Sequence, residues 1–416
     1  MSPMPRSALN LRLTLSGLLT KYSAVRFRNS PTRGNTIHAL VTILFALPLT
    51  VVVLLLLVLR RAFRKKLRVL VLAVDGEFAA FINFMEVLRG ERSFDQKYDC
   101  VFVLSAYRHA TLTGIYCDIL KTPIVWSNGL FVLFQQALLL QPSTVVSLEI
   151  RTMSYLHRAP CADWNVVLPR SIDSLRASLL ENLGLKSNGF VALAVYTAAY
   201  ERERNPRFVQ ATTNLISFGM ELVEGIDYLK TCGLDAVLLG SPDTEKSQIP
   251  RQFPRLADFG HLGGPEEVAL ASCCKYFWTD NVGAWWLTVP FGRPVLFSNS
   301  PHRVTVHPTL GRDMYVPRIY ETLEGRRLSL REMLYREGSL YQSANRGELR
   351  MIRNSPEEIQ EAHVEMLERI NGVWTGTAVG RNRQERVKQL SFEHPSQYHP
   401  MLVPEAFLAR HAYLLD

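Results

Sequence analysis

The sequence predicts an α/β protein with two doubly wound domains, each a parallel sheet covered by helices, behind an N-terminal membrane helix. Three observations support this prediction. An uncharged apolar stretch fills residues 39–59, a buried-strand pattern followed by a helical pattern begins at residue 67, and the alternation starts again at residue 190. The chain of 416 residues therefore divides into an anchor (1–66), a first domain (67–185), a second domain (186–345) and a helical tail (346–416).

The anchor is predicted from length and charge. Residues 39–59 are 21 uncharged residues, followed at once by five Lys/Arg within residues 60–66. A helix of this length covers the hydrocarbon core of a bilayer, about 30 Å at about 1.5 Å per residue. Because Lys and Arg stay on the cytoplasmic side, we expect the bulk of the chain in the cytoplasm. The N-terminal flank is basic as well, so a single span and a re-entrant insertion broken at Pro48 both remain open.

The positive charge of the chain is concentrated before the first domain. The formal net charge is +9, yet residues 1–68 contain twelve Lys/Arg and no Asp or Glu. The remainder is therefore slightly acidic, and nucleic acid is not an expected partner. The basic arm instead predicts contact with an anionic membrane surface, which residues 8–22 would reach as an interfacial amphipathic helix. The six cysteines form no C-x-x-C pair, so we expect reduced thiols and no structural metal.

The first domain is predicted to begin with a strand, a turn and a helix. Residues 67–73 (LRVLVLA) form the near-continuous apolar run of a strand that is buried on both faces. The polar turn Asp75-Gly76-Glu77 follows, and apolar residues at helical spacing fill residues 78–88. Further strands are predicted at 99–104, 123–126, 145–148 and 165–168, with a helix at 130–140.

The second domain repeats this alternation after a polar joint at residues 185–189. Its predicted strands are residues 190–195, 236–239, 276–279 and 294–297, and its predicted helices are residues 216–232, a helix opened by Gly264-Pro265, and residues 283–289. The tail is expected to contain a polar helix from about residues 356–367 that packs back across the domains. Two successive series of this kind predict two domains that face each other across a cleft.

Three loops occupy the positions where such sheets bind ligands. Ligands lie at the carboxyl ends of the strands, where helix N-termini offer free N–H groups to an anion. The loops are Asp75-Gly76-Glu77, Gly240-Ser241 and residues 279–283 (TDNVG). We expect the last two to converge on one diphosphate. Any tight turn between a strand and a helix also uses Gly, Asp and Asn, so each loop alone is equally compatible with a turn that binds nothing.

The residues expected to contact this ligand come from the second domain. They are Gly240, Ser241, Glu266, Thr279, Asn281 and Gly283. Glu266 or its neighbour Glu267 would accept hydrogen bonds from ribose hydroxyls, although a carboxylate in the first turn of a helix also complements the helix dipole without any ligand. Asp280 argues against the site, because a carboxylate repels a diphosphate unless its side chain turns away to cap the helix.

Several segments resemble a known family. They are residues 214–217 (NLIS), 225–229 (GIDYL), 236–240 (AVLLG), 270–277 (LASCCKYF) and 289–295 (VPFGRPV). Together they resemble a bacterial family of GT-B-type glycosyltransferases associated with surface-carbohydrate gene clusters. The resemblance covers about residues 67–345 and implies two Rossmann-like domains facing across a cleft, with a nucleotide-sugar held mainly by the second. It further implies a lipid-linked or surface-glycan acceptor and a place at the bacterial inner membrane, with the soluble domains on the cytoplasmic side.

The chain departs from the family at three positions. Members carry Arg-Asn where this chain has Thr213-Asn214, an arginine where it has Leu238, and Ser-Gly within the loop 281–283. Two cationic partners of a phosphate are therefore absent, and charge-assisted hydrogen bonds would be lost with them. Either another arginine substitutes, or the chemistry has been lost. The candidates for substitution are Arg251, Arg255, Arg293 and Arg303.

An inverting sugar transfer without metal or cofactor needs a base for the acceptor hydroxyl. Asp75 or Glu77 has the best position by topology, although an N-cap role for Asp75 and a dipole role for Glu77 are the simpler explanations of either residue taken singly. Two other functions remain open. One is a catalytically silent membrane-bound scaffold or sugar-nucleotide-binding partner of carbohydrate enzymes, which the missing arginines favour. The other is a related transferase with a different donor, such as a pyruvyl transferase.

Overall fold

The computed structural model describes residues 67–73, 82, 85, 100–104, 110–126, 146–151, 168–194, 220–239, 264–280, 283–300, 312–336, 340, 343–344, 346–393 and 402–416. The predicted anchor at residues 39–59 lies outside them, so it stays a prediction. Among the described residues, no helix has both the length and the apolar character needed to cross a membrane. The contacts divide the chain into two units, residues 1–67 with 127–147 and residues 68–126 with 148–416.

A first sheet is built from four strands. They are β1 (Leu67–Ala73), β2 (Cys100–Leu104), β3 (Ile124–Trp126) and β4 (Val146–Arg151), in the order β3-β2-β1-β4. β2 pairs in parallel with both β1 and β3. Helix α1 (Ala110–Leu120), which the sequence analysis did not predict, precedes β3. Of the predicted helix at residues 78–88 the structure describes Ile82 and Met85, which are helical and fully buried.

A second, separate sheet has five strands. They are β5 (Phe190–Ala194), β6 (Asp235–Leu238), β7 (Phe277–Thr279), β8 (Val295–Ser300) and β9 (Met314–Pro317), in the order β6-β5-β7-β8-β9. Each neighbouring pair is parallel. The strands predicted at residues 190–195, 236–239, 276–279 and 294–297 are confirmed, and β9 is an addition. An α/β fold with parallel sheets is thus confirmed.

Helices cover this second sheet. They are α2 (Arg170–Asn182), α3 (Met220–Thr231), α4 (Pro265–Cys273) and a 3₁₀ helix (Gly283–Phe291). α2 packs against α4, and α4 packs against the 3₁₀ helix. The helix predicted at residues 283–289 is therefore present with tighter winding. Pro290 lies inside it and has no N–H to donate, which disfavours an α-helical turn there.

The C-terminal part adds a two-stranded antiparallel sheet and further helices. The strands are β10 (Ile319–Thr322) and β11 (Leu349–Ile352), and the helices are α5 (Leu330–Tyr335), α6 (Pro356–Ile370), α7 (Ala378–Glu393), α8 (Glu405–Arg410) and a short 3₁₀ helix (Ala412–Leu415). α6 is the predicted polar helix. It packs against α3 and against strands β8 and β9, so it belongs to the layer that covers the second sheet.

The start of α6 is fixed by a capping box. Ser355 accepts a hydrogen bond from the Glu358 N–H, and the Glu358 carboxylate accepts one from the Ser355 N–H. Pro356 at the first helical position strengthens this start, because its missing N–H would have no partner within the helix. At the other end Lys275 Nζ lies 3.1 Å from Asn371 Oδ1, beside the start of β7. The helix therefore begins at the carboxyl edge of the sheet and ends at its amino edge.

Candidate functional site

The candidate site lies at the carboxyl edge of the second sheet, where ligands of doubly wound folds bind. Thr279 ends β7 and Asp280 follows it, while Asn299 lies near the end of β8 and Arg318 follows β9. All four residues are buried, and Arg318 is only 1% exposed. One acidic and one basic residue are therefore buried at this edge.

Arg318, Asp280 and Arg353 form one electrostatic group. Burial and, to a smaller extent, the positive charge of Arg353 lower the pKa of Arg318 to about 10, against the opposing effect of the negative charge of Asp280. Arg318 nevertheless stays protonated at neutral pH. Arg318 therefore supplies positive charge near Asp280, which offsets the negative charge of that carboxylate at this edge. The sequence-based objection that Asp280 would repel an anion is therefore weakened.

A bulge at the end of β8 supports this group. From Phe297 to Ser300 strand β8 advances by three residues while β9 advances by two, from Tyr315 to Pro317. The extra residue bends the strand. Asn299 lies in this bulge with a φ of 52°, a left-handed conformation that asparagine tolerates better than most residues.

The structure places three of the predicted ligand contacts on this edge. Thr279 is the last residue of β7 and is fully buried, and Gly283 is the first residue of the 3₁₀ helix. Glu266 lies in the first turn of α4. The last turn of α4 is at the amino edge, because the Asn188 N–H donates to the Cys273 carbonyl over 2.8 Å just before β5, so the first turn faces the carboxyl edge.

The other predicted residues lie outside the described part of the chain. They are Asp75, Glu77, Gly240, Ser241 and Asn281. Their roles stay predictions.

Arg293 is not placed to substitute for the family arginines. Its Nε donates to the Ser272 carbonyl over 3.0 Å, and its Nη1 donates to Asn188 Oδ1 over 2.5 Å. Both partners lie at the amino edge of the sheet, opposite the candidate site. Arg293 therefore ties two amino-edge connections together, and the other candidates, Arg251, Arg255 and Arg303, lie outside the described residues.

Sequence reasoning missed Arg318 and Arg353. A signal for Arg318 was present, since it interrupts the apolar run MYVPRIY at residues 314–320. An arginine within such a run is either strand-terminating or buried with a partner. Arg353 follows β11 directly and is half-buried. Nothing in the local sequence indicates that β10 and β11 pair and so bring the two arginines together.

The described residues offer little other reactive chemistry. They contain no group of three or more His, Cys, Asp or Glu that could hold a metal ion. Cys117, Cys232, Cys273 and Cys274 are free thiols. Burial raises the pKa of Cys273 to about 11 and that of Cys274 to about 12, so both are protonated and poor nucleophiles at neutral pH.

Comparison with known proteins gives distant structural neighbours. No protein-family profile matches the sequence, and no curated protein matches it either. Among solved structures the chain is similar to a glycosyl transferase family 9 protein from Veillonella parvula, at 12% identity and a TM-score of 0.43 over 73% of this chain and 98% of that one. It is similar to Escherichia coli ADP-heptose LPS heptosyltransferase II, at 12% identity and a TM-score of 0.44 over 73% of this chain and 100% of that one.

A third neighbour is the dodecameric iron-containing heptosyltransferase TibC in complex with ADP-D-β-D-heptose. It is 16% identical, with a TM-score of 0.30 over 56% of this chain and 60% of that one. At these identities and TM-scores the likenesses assign no activity to this chain. The functional argument therefore depends on its own residues.

Proposed function

We propose that this protein is a membrane-anchored glycosyltransferase of GT-B type, which moves a sugar from a nucleotide-sugar to a lipid-linked or surface-glycan acceptor. The second sheet would bind the donor, and residues 39–59 would hold the chain at the inner face of a bacterial inner membrane. The sequence resemblance supports the reaction class. The charged group at the carboxyl edge supports the site.

One observation carries the proposal: the hydrogen bond from Asn354 to the Pro317 carbonyl brings the neighbouring residues Arg353 and Arg318 close together at the edge where a doubly wound sheet binds its ligand. Guanidinium groups form charge-assisted, often bidentate hydrogen bonds with phosphate oxygens. In the proposed site the half-buried Arg353 contacts the diphosphate. The buried Arg318 lies deeper in the fold, where it offsets the negative charge of Asp280 and adds positive electrostatic potential to the site. In this proposal the two arginines replace the cations that members of the family have at other sequence positions.

The proposed role of the second domain is to stabilise the leaving group. Transfer breaks the bond between the sugar and the diphosphate, so negative charge builds up on the leaving nucleoside diphosphate. Arg353 and the N–H groups that follow β7 stabilise this charge in the proposal, and Glu266 holds the ribose. Asp75 or Glu77 from the first domain takes the proton of the acceptor hydroxyl. No metal or further cofactor enters this scheme.

A second candidate function is a silent sugar-nucleotide-binding or scaffold protein. The observation that favours it is the burial of both Arg318 and Asp280, because nearby buried charges of opposite sign stabilise each other without any ligand. Binding and turnover distinguish the two functions. The scaffold function predicts no release of nucleoside diphosphate even when an acceptor is present.

The test is a binding panel of nucleotide-sugars on the full chain in detergent, by isothermal titration calorimetry. Arg353→Met should weaken donor binding by about tenfold to a hundredfold, the loss of one charged hydrogen-bonded contact, about 1.5–3 kcal/mol. Arg350→Met is the matched control, since Arg350 is exposed three residues away and pairs with Glu321 over 3.5 Å. Equal affinities for the wild type and Arg353→Met would contradict the proposed site.

A further inference from the structure

Asn299 and Asn354 hold together the segments that carry both arginines. The Asn299 N–H donates to Asn354 Oδ1 over 2.6 Å, and the Asn354 N–H donates to Asn299 Oδ1 over 2.8 Å. Asn354 Nδ2 also donates to the Pro317 carbonyl over 2.8 Å. Both asparagines are buried, at 1% and 3% exposure, so all three bonds are shielded from water. The amide side chain of Asn354, two residues after β11, therefore links β8 to the end of β9.

The two arginines are adjacent in the sequence to residues that take part in these hydrogen bonds. Arg318 follows Pro317, whose carbonyl Asn354 binds, and Arg353 precedes Asn354. The next residue, Ser355, caps α6. Because each arginine is one peptide away from an Asn354 hydrogen bond, the position of Asn354 fixes the separation of the two main-chain segments that carry the guanidinium groups.

We propose that Asn354 is a positioning residue of the anion site, which holds the segment that carries Arg353 at a fixed place against the ends of β8 and β9. The proposal rests on the proposed donor site. In the proposed site a diphosphate contacts Arg353 and the N–H groups that follow β7 at the same time, whereas orthophosphate can bind to either of them alone. Misplacement of the arginine segments should therefore weaken diphosphate binding more than orthophosphate binding. A purely structural asparagine would affect both anions equally.

The experiment measures binding of inorganic pyrophosphate and of orthophosphate to the full chain in detergent by isothermal titration calorimetry. Asn354→Ala should reduce pyrophosphate affinity by about tenfold or more and orthophosphate affinity by clearly less. Asn299→Gly removes one of the three bonds and retains the backbone donor, and glycine accepts the φ of 52° without strain. We expect an intermediate loss for this variant, which decides the question if Asn354→Ala fails to fold.

Asn188→Gly is the matched control. Asn188 has a positive φ of 59°, as Asn299 does, and its side chain accepts a hydrogen bond from Arg293 at the amino edge. Its replacement should leave the affinities for both anions unchanged.

Three outcomes separate this inference from the proposed function. Wild-type affinity in Asn354→Ala, or equal losses for the two anions, overturns the positioning role while the donor site stands. Pyrophosphate binding without binding of any nucleotide-sugar overturns the proposed function, and the Asn354 comparison can still be made. A wild type that binds neither anion overturns both.

Discussion

The Tyr276 hydroxyl lies 2.6 Å from Nδ1 of His363, so the residue before β7 shares a buried hydrogen bond with the middle of α6. The Trp278 ring meets the His363 ring edge to face, with centroids 4.3 Å apart. Burial lowers the pKa of His363 to about 3, so the imidazole is neutral at physiological pH. This contact joins the second sheet to the helix whose first turn borders the candidate site.

The first prediction concerns acid stability. The pKa of His363 is about 3 in the folded chain, below the ordinary value of 6.5, so protonation favours the unfolded state. Its stabilising contribution is complete above about pH 6.5 and is lost at about 1.4 kcal/mol per pH unit as the pH falls towards 3. His363→Gln, which does not titrate, should flatten the pH dependence of the urea midpoint in this window. Parallel pH curves for the two proteins would rule out a neutral buried histidine.

The second prediction concerns the close approach of α3 to β7. A Cβ added at Gly225 would lie 2.6 Å from the Trp278 ring and 3.4 Å from His363 Nε2. Gly225→Ala should therefore destabilise the fold by about 1–3 kcal/mol through overpacking, although alanine is the better helix former. Gly114→Ala in α1 is the control, because nothing lies within 4 Å of its Cβ, and it should stabilise by about 0.5–1 kcal/mol. Urea denaturation measures both, and a stabilised Gly225→Ala would refute the packing.

The third prediction concerns the C-terminal segment. Glu358 Oε1 lies 2.5 Å from His411 Nε2, and both side chains are buried. Burial raises the pKa of Glu358, but the hydrogen bonds from His411 and from the Ser355 N–H, together with nearby positive charge, lower it below its usual value overall. Its stabilising effect is therefore present above about pH 4.5 and is lost as the pH falls through the folded pKa.

Replacing Glu358 should be costly. Glu358→Ala leaves His411 buried without its carboxylate, and we expect a loss of about 3–5 kcal/mol with faster proteolysis after α8. Glu332→Ala is the control, since Glu332 closes the same kind of capping box in α5 but pairs with the exposed Arg326. It should cost only about 1 kcal/mol. Equal costs for the two variants would show that the contact with His411 contributes nothing.

The fourth prediction concerns topology. If residues 39–59 place the soluble domains on the cytoplasmic side, a reporter fused after Asp416 should be active in the cytoplasm. Alkaline phosphatase fused at the same position should be inactive. Strong phosphatase activity would place the C-terminus on the opposite side and contradict the charge argument.

The sequence predicted most of the second sheet because its strands are short apolar runs between polar turns. Phe190–Ala194 and Val295–Ser300 are of this kind. Strand β9 was missed because Pro317 and Arg318 interrupt its apolar run, and both residues are unfavourable inside a strand. The position of Thr279 at the carboxyl edge was predictable, because Thr279 is the last residue of a strand that the sequence predicted.

The charged group at the site was not predictable in the same way. Asp280, Arg318 and Arg353 are far apart in the sequence, and they meet because β7 and β9 share one sheet while β11 pairs with β10. Local periodicity carries no information about such pairing. The reciprocal hydrogen bonds between Asn299 and Asn354 depend on the same tertiary arrangement, so no local residue pattern predicted them.

The location of the donor site is tested most directly by hydrogen exchange with and without a nucleotide-sugar that binds. We predict slower amide exchange at residues 279–283 and 353–355, at the carboxyl edge of the second sheet, and no change around Asn188 and Arg293 at the amino edge. Protection at the amino edge, or elsewhere in the chain with none at residues 279–283 and 353–355, would contradict the proposed site.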